Sequence, residues 1–254
     1  WRYVEGFGYA WSNSRSAPRS LDDIELPMAA LLFHELAHAN DFFPQSRFHL
    51  LNPGLSVYLN ATLGSDRRLS NSIDAPTSQT LFDLADVMYF GETASPAQLQ
   101  LQPGDVAAEF RLDSASAMYG YATQYEDFAM LVEEVLMRHH YGLQRDSGFT
   151  NRPQAGSPRS AYILAWGMRQ RAFDPLVRNR AIRAMQLLFN QTDVTLYFPP
   201  AVQSQLLDSG ISWDTSILSG SGAQKRSEGA DSQEPDGGWF RLPFLPFDPQ
   251  RMAP

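Results

Sequence analysis

Two histidines four residues apart, in the run His34-Glu35-Leu36-Ala37-His38, impose more on this chain than any other feature. For both imidazoles to reach one metal ion the segment has to be helical, because positions i and i+4 of a helix lie on one face, about one turn apart. A further protein ligand must then be brought against that face from elsewhere in the chain, so the motif demands a second element packed on the first. Glu35 sits roughly a quarter-turn away, where its carboxylate can touch a water on the same ion without being a ligand. With 5 histidines in 254 residues the pattern should arise by chance in roughly one chain in a few hundred, so its surroundings must support it.

They support a helix. Pro27 reads as a first helical residue, Asp22, Asp23 and Glu25 place negative charge near the N-terminus, and Met28 to Asn40 contains neither Gly nor Pro. Leu32, Leu36 and Ala39 form one apolar stripe, and Leu31, His34, His38 and Asp41 recur along another, which predicts histidines off the greasiest face. Asp41, one turn beyond His38, is placed to accept a hydrogen bond from a ligand imidazole and fix its tautomer; a solvated helix end is the competing reading.

The long motif that takes a third histidine would need Gly at position 41 and His at 44, but the chain has Asp41 and Pro44, so that class is excluded. The remaining common arrangement takes a glutamate from a later helix. The best stretch runs from Tyr119 through Glu126-Asp127-Phe128-Ala129 to His140, with Phe128, Leu131, Val132 and Val135 as its predicted buried face. Glu126 opens that helix on another face, shared with Met130, Glu133, Met137 and His140. Glu133 and Glu134 compete with it, although Glu133 lies two turns, about 10 Å, further along the axis. Tyr119, Tyr121 and Tyr125 form an aromatic cluster whose ordinary role is packing. His139 and His140 stand where the helix dipole favours a histidine pair.

His34-Glu35-Leu36-Ala37-His38, followed downstream by Tyr119, six further residues and Glu126-Asp127-Phe128-Ala129, resembles the glutamate-ligand zincins, or gluzincins, and in particular the bacterial branch related to the anthrax lethal factor protease domain. The resemblance implies a zincin-like fold and one Zn2+ held by His34, His38 and Glu126. It implies Glu35 as general base, Tyr119 as the hydroxyl that stabilises the oxyanion, and Asp41 as a match to an Asp that recurs three residues after the second histidine. It covers about residues 27–41 and 119–138. Met130 stands where the commoner run has a glutamate, and the intervening stretch is longer than a compact zincin needs.

Composition bounds the rest. A chain of 254 residues, 43% hydrophobic, can bury a full core as one domain. No apolar run approaches the length of a transmembrane helix, and a net charge of −8 argues against a nucleic-acid surface. The absence of cysteine leaves only His and carboxylate for a metal site. It is also compatible with an exported bacterial protein, so an extracytoplasmic location, periplasmic or secreted, is the expectation. The start at Trp1 reads as a processed or excised region.

The expected fold is α+β and mostly helical, with an active-site helix and a second ligand-bearing helix in a domain spanning 1–218. Residues 1–12 read as an extended segment, a candidate substrate-binding edge strand. An insertion covers about 42–110, irregular over 42–80, with a helix at 81–90 and a short strand at 98–101. Residues 145–160 read as a polar loop, 161–172 as a helix, and Asp174-Pro175 as the start of another whose buried face is Val177, Ala181, Ala184, Met185 and Leu188. Residues 219–238 read as a flexible linker and 239–254 as a Pro-rich extended tail. The expected function is zinc-dependent hydrolysis of peptide bonds in a peptide or protein substrate. The alternatives are a non-catalytic zincin-like binding protein and a di-iron carboxylate protein built on Glu35-x-x-His38, which would need a second such motif that the chain lacks.

Overall fold

A computed structural model of the chain describes residues 1–7 and 21–220. Of the expected linker only the first two residues fall within them; the expected tail and residues 8–12 of the expected extended segment lie outside. The fold is α+β. In chain order it contains β1 (Arg2–Phe7), α1 (Leu21–Phe42), α2 (Val57–Leu63), α3 (Gln79–Ala85), α4 (Pro96–Gln100), α5 (Pro103–Leu112), α6 (Gln124–Tyr141), β2 (Arg145–Thr150), β3 (Leu164–Arg169), α7 (Arg178–Phe189), β4 (Gln205–Leu207) and α8 (Trp213–Gly220). The four strands form one antiparallel sheet in the order β1-β2-β3-β4, which makes β1 an edge strand among the described residues. No helix of the described residues is long and apolar enough to cross a membrane.

The molecule is organised around α6. Thr123 caps its start, the side chain accepting from the Glu126 amide at 3.1 Å, and Gly142 ends it in the left-handed conformation at φ 67°. Every residue from Glu126 to Met137 is buried. Phe128, Leu131, Val132 and Val135 join Ala37 of α1 and Ala181, Ala184 and Met185 of α7 in the largest apolar core. α1 packs along α6 through alanines: Ala37 touches that core, and Ala29 and Ala30 pack with Phe7 and Met137.

Two expectations about α1 are corrected. The helix begins at Leu21, six residues before Pro27, which lies inside it. Its apolar stripe is also not the buried face: Leu32 and Leu36 are 54% and 47% exposed, whereas His34, Ala37 and Asp41 are almost fully buried. The cause is α6, which offers α1 the carboxylates Glu126 and Glu133, so the polar side of α1 turns inward.

Three local expectations also change. Residues 145–150 form β2, not a loop. Their polar side chains are buried in pairs, Arg145 with Glu5 at 2.8 Å and Asp146 with Arg169 at 2.6 and 2.7 Å, so the alternation of a half-buried strand is missing from the sequence. Leu164–Arg169 is strand β3 and not a helix; Gly148 on β2 lets it approach, since a Cβ there would lie 2.7 Å from the Leu164 side chain and 2.8 Å from the Trp166 carbonyl oxygen. Residues 96–100 are helical because Ser95 and Gln98 form a reciprocal cap. Within the stretch expected to be an insertion, α3 and α5 build a second core, Leu81, Leu84, Val106 and Phe110, against Phe149 of β2.

Candidate metal centre

α1 and α6 together bring His34, His38 and Glu126 to one point, a group able to hold a metal ion. His34 Nε2 lies 3.0 Å from Glu126 Oε2, His38 Nε2 lies 3.2 Å from the same oxygen, and the two Nε2 atoms are 3.1 Å apart. Ligands at zinc-like bond lengths of 2.0–2.2 Å in a tetrahedral arrangement stand about 3.3 Å from one another, so this triangle of donors needs only a few tenths of an ångström of adjustment. The rings meet nearly edge to face, 84° between planes. His34 and Glu126 are buried and His38 is partly open, which leaves the triangle approachable from the His38 side.

Glu133 holds the back of the cluster. Its Oε2 lies 3.0 Å from His34 Nδ1. With Nδ1 donating to Glu133, Nε2 is the atom that faces Glu126 Oε2 and His38 Nε2, and a metal would take the place of its proton. Glu133, a rival ligand by its heptad interval from Glu126, meets the far nitrogen of His34 and stands outside the donor triangle. One turn after Glu126, Met130 packs with Ala117 and Tyr119 and places its sulfur 3.6 Å from Arg145 Nη2.

The charges follow from this geometry. For Glu126, burial raises the carboxyl pKa, but hydrogen bonds and charge from His34 and His38 outweigh it and hold the group at about 2. For His34, burial disfavours the imidazolium, but Glu126 and Glu133 outweigh it and lift the pKa to about 9. An anionic carboxylate wedged between two imidazoles is a donor set that a divalent cation suits.

Tyr119 is buried and stacked on His34, the ring centroids 6.2 Å apart at 23°. Burial, then the charge and hydrogen-bond acceptance of Glu126, hold its phenol well above the usual range, so it stays a donor. Tyr89, which sequence reasoning did not single out, packs edge-on against it at 4.8 Å. Tyr121 points elsewhere, between Phe82 and Phe110 of the second core, and Tyr125 lies against His38 at 5.7 Å. Glu35 is exposed on α1, near enough to Tyr119 for its charge to act on the phenol. His139 and His140 pack on Tyr197 and Phe33 at the far end of α6.

Asp41 is fully buried, with Oδ1 accepting from the Ser70 amide at 2.6 Å. Its Oδ2 and the Nδ1 of His38, one turn apart on α1, are both buried without a hydrogen-bond partner, and the charge of His38 acts on Asp41. Burial nevertheless raises the Asp41 carboxyl pKa, against the Ser70 hydrogen bonds and the charges of Arg68 and His38. Against known proteins, the chain matches no family model, no curated protein and no solved structure.

Proposed function

We propose that the chain is a zinc-dependent hydrolase of peptide bonds. The observation that carries the reading is the donor triangle of His34, His38 and Glu126, backed by Glu133 and flanked by Glu35 and Tyr119. Those ligands and their compact spacing suit Zn2+, whose chemistry when bound is to polarise a scissile carbonyl and acidify a water. Glu35, exposed beside the cluster, takes the proton of the attacking water and passes it to the leaving amine. The Tyr119 phenol, kept protonated, donates to the developing oxyanion. Glu133 holds His34 in its tautomer through Nδ1. Supporting a peptide substrate, β1 is an edge strand among the described residues, a surface on which an extended peptide adds, and its Glu5 acts on the phenol of Tyr89, which packs on Tyr119.

Metal analysis and one variant test this reading. Purified protein is expected to carry near one zinc per chain, lost when His34 and His38 are both replaced by alanine. Glu35→Gln is expected to keep zinc and fold while hydrolysis of a broad peptide library falls about 100-fold or more, because an amide cannot accept the water proton. Stoichiometric zinc in the double alanine variant would rule out the site, and unchanged turnover in Glu35→Gln would rule out the base.

A further inference from the structure

The arginines inside this fold are almost all spoken for. Arg145, Arg169 and Arg180 pair with Glu5, Asp146 and Asp127, and Arg171 donates to the carbonyls of Phe110, Asp113 and Ala115. Arg68, half-buried, is different: among the described residues it makes no hydrogen bond and no ion pair, and its Nε is buried without a partner. Its Cζ lies 4.2 Å over the Phe42 ring and 5.3 Å over the Tyr125 ring. Those same two rings stand 6.3 and 5.7 Å from the ring of His38, the partly open member of the donor triangle.

We propose that Arg68 recognises a carboxylate of the substrate, which makes the hydrolase selective for peptides carrying an anionic group close to the bond cleaved. The inference rests on the zinc hydrolase reading above. Two aromatic faces take one side of the guanidinium out of water and fix its plane without neutralising it. Asp41 feels its charge but makes no ion pair with it and is engaged with Ser70. A fixed, partly desolvated fork whose N–H donors meet no acceptor among the described residues matches the two oxygens of a carboxylate. The anion has two sources in a peptide, the C-terminal carboxylate and the side chain of Asp or Glu, and both present the same chemistry.

The test uses zinc-loaded protein and three hydroxamate probes: succinyl hydroxamate coupled to Leu-Phe as the free acid, the same compound as its amide, and the amide with Glu in place of Phe. Binding is followed by calorimetry, so no turnover is needed. The wild type is expected to bind at least one carboxylate probe about tenfold tighter than the neutral amide, as a charge-assisted hydrogen-bonded pair would give. Preference for the free acid assigns the C-terminus, and preference for the Glu probe assigns a side chain. Arg68→Gln is expected to bind the amide as the wild type does, which also reports that it is folded and loaded, and to lose the preference; Arg68→Lys keeps the charge and is expected to keep part of it. Equal binding of all three probes by the wild type, or a preference surviving in Arg68→Gln, overturns the assignment of Arg68 alone. Failure of the amide to bind the zinc-loaded wild type overturns the hydrolase reading and this inference with it.

Discussion

Glu133 and Glu126 grip one imidazole from opposite edges, and they should answer differently to the same substitution. Glu126→Gln removes an anionic donor from the triangle, so zinc is expected to be lost; Glu133→Gln leaves the triangle intact and is expected to weaken zinc about 10- to 100-fold in a chelator competition at unchanged stoichiometry. Equal losses in both would show that Glu133 does more than orient His34. The metal-free cluster carries its own pH signature. The folded pKa of His34, about 9, lies above the ordinary 6.5, so this interaction stabilises the metal-free fold fully below pH 6.5 and is lost as pH rises through about 9. Denaturant melts of chelated protein are therefore expected to weaken from pH 6.5 to 9.5, by about 3 kcal/mol at most, while zinc-loaded protein does not share the loss. The histidines, Glu126 and Tyr119 could be picked out of the sequence because each sits at a fixed interval on one helix or just before it. Arg68, Tyr89 and the orienting role of Glu133 could not, since each depends on which side chain of a distant segment arrives opposite.

At the scale of single elements, α6 between Glu126 and Met137 buries its four carboxylates along with its apolar residues, and each carboxylate has a partner. Asp127 is pushed up to about 6 by burial, against the opposing effect of Arg180. Glu134 is pushed up to about 7 by burial, against Arg145 and its hydrogen bond from the Ala172 amide at 3.0 Å, and its second oxygen has no partner. Because the folded pKa of Glu134 is raised, its contribution is greatest below its ordinary value of 4.5 and is lost as pH rises through 7. Glu134→Gln keeps an oxygen for Ala172 and removes the charge. The variant is expected to match the wild type at pH 5 and to exceed it at pH 8 by about 3 kcal/mol at most, read from urea melts; a wild type that is the more stable at pH 8 would refute this. Helices α6 and α7 were legible because their buried apolar residues repeat at helical intervals, and α1 because its two histidines stand four residues apart in a run free of Gly and Pro, although its buried face was not. β2 and β3 were not: Arg145 and Asp146 look solvated until Glu5 and Arg169 are seen beside them, and Gly148 reads as a loop residue until Leu164 and Trp166 are found against it.

At the scale of the whole molecule, one core gathers around α6 and the other, built by α3 and α5, packs on Phe149 of the sheet; between them stands Arg171, whose neighbours Ala172 and Phe173 belong to the first. It follows β3, lies over the Phe110 ring at 4.1 Å, and its donors hold three carbonyls where the chain leaves α5 on its way to Tyr119. Arg171→Met would strand those buried carbonyls, so a loss of about 3 kcal/mol or more is expected, with a fall in melting temperature of roughly 6–12 °C; a change under 1 kcal/mol in a urea melt would show that water replaces the guanidinium at little cost. The pairing of the two ligand helices follows from the motif spacing, whereas the packing of α3 and α5 on the sheet has no local signal. His34 and Glu126 stand 92 positions apart and meet only where α1 lies on α6. An ion shared between them is therefore a reversible cross-link that closes a long loop of chain, and loops of this length can change in sequence or size at small entropic cost so long as their ends still meet. The segment between the two helices also supplies Leu81, Leu84, Val106 and Phe110 to the second core, so the freedom to change belongs to its exposed turns, while its buried positions stay tied to the sheet.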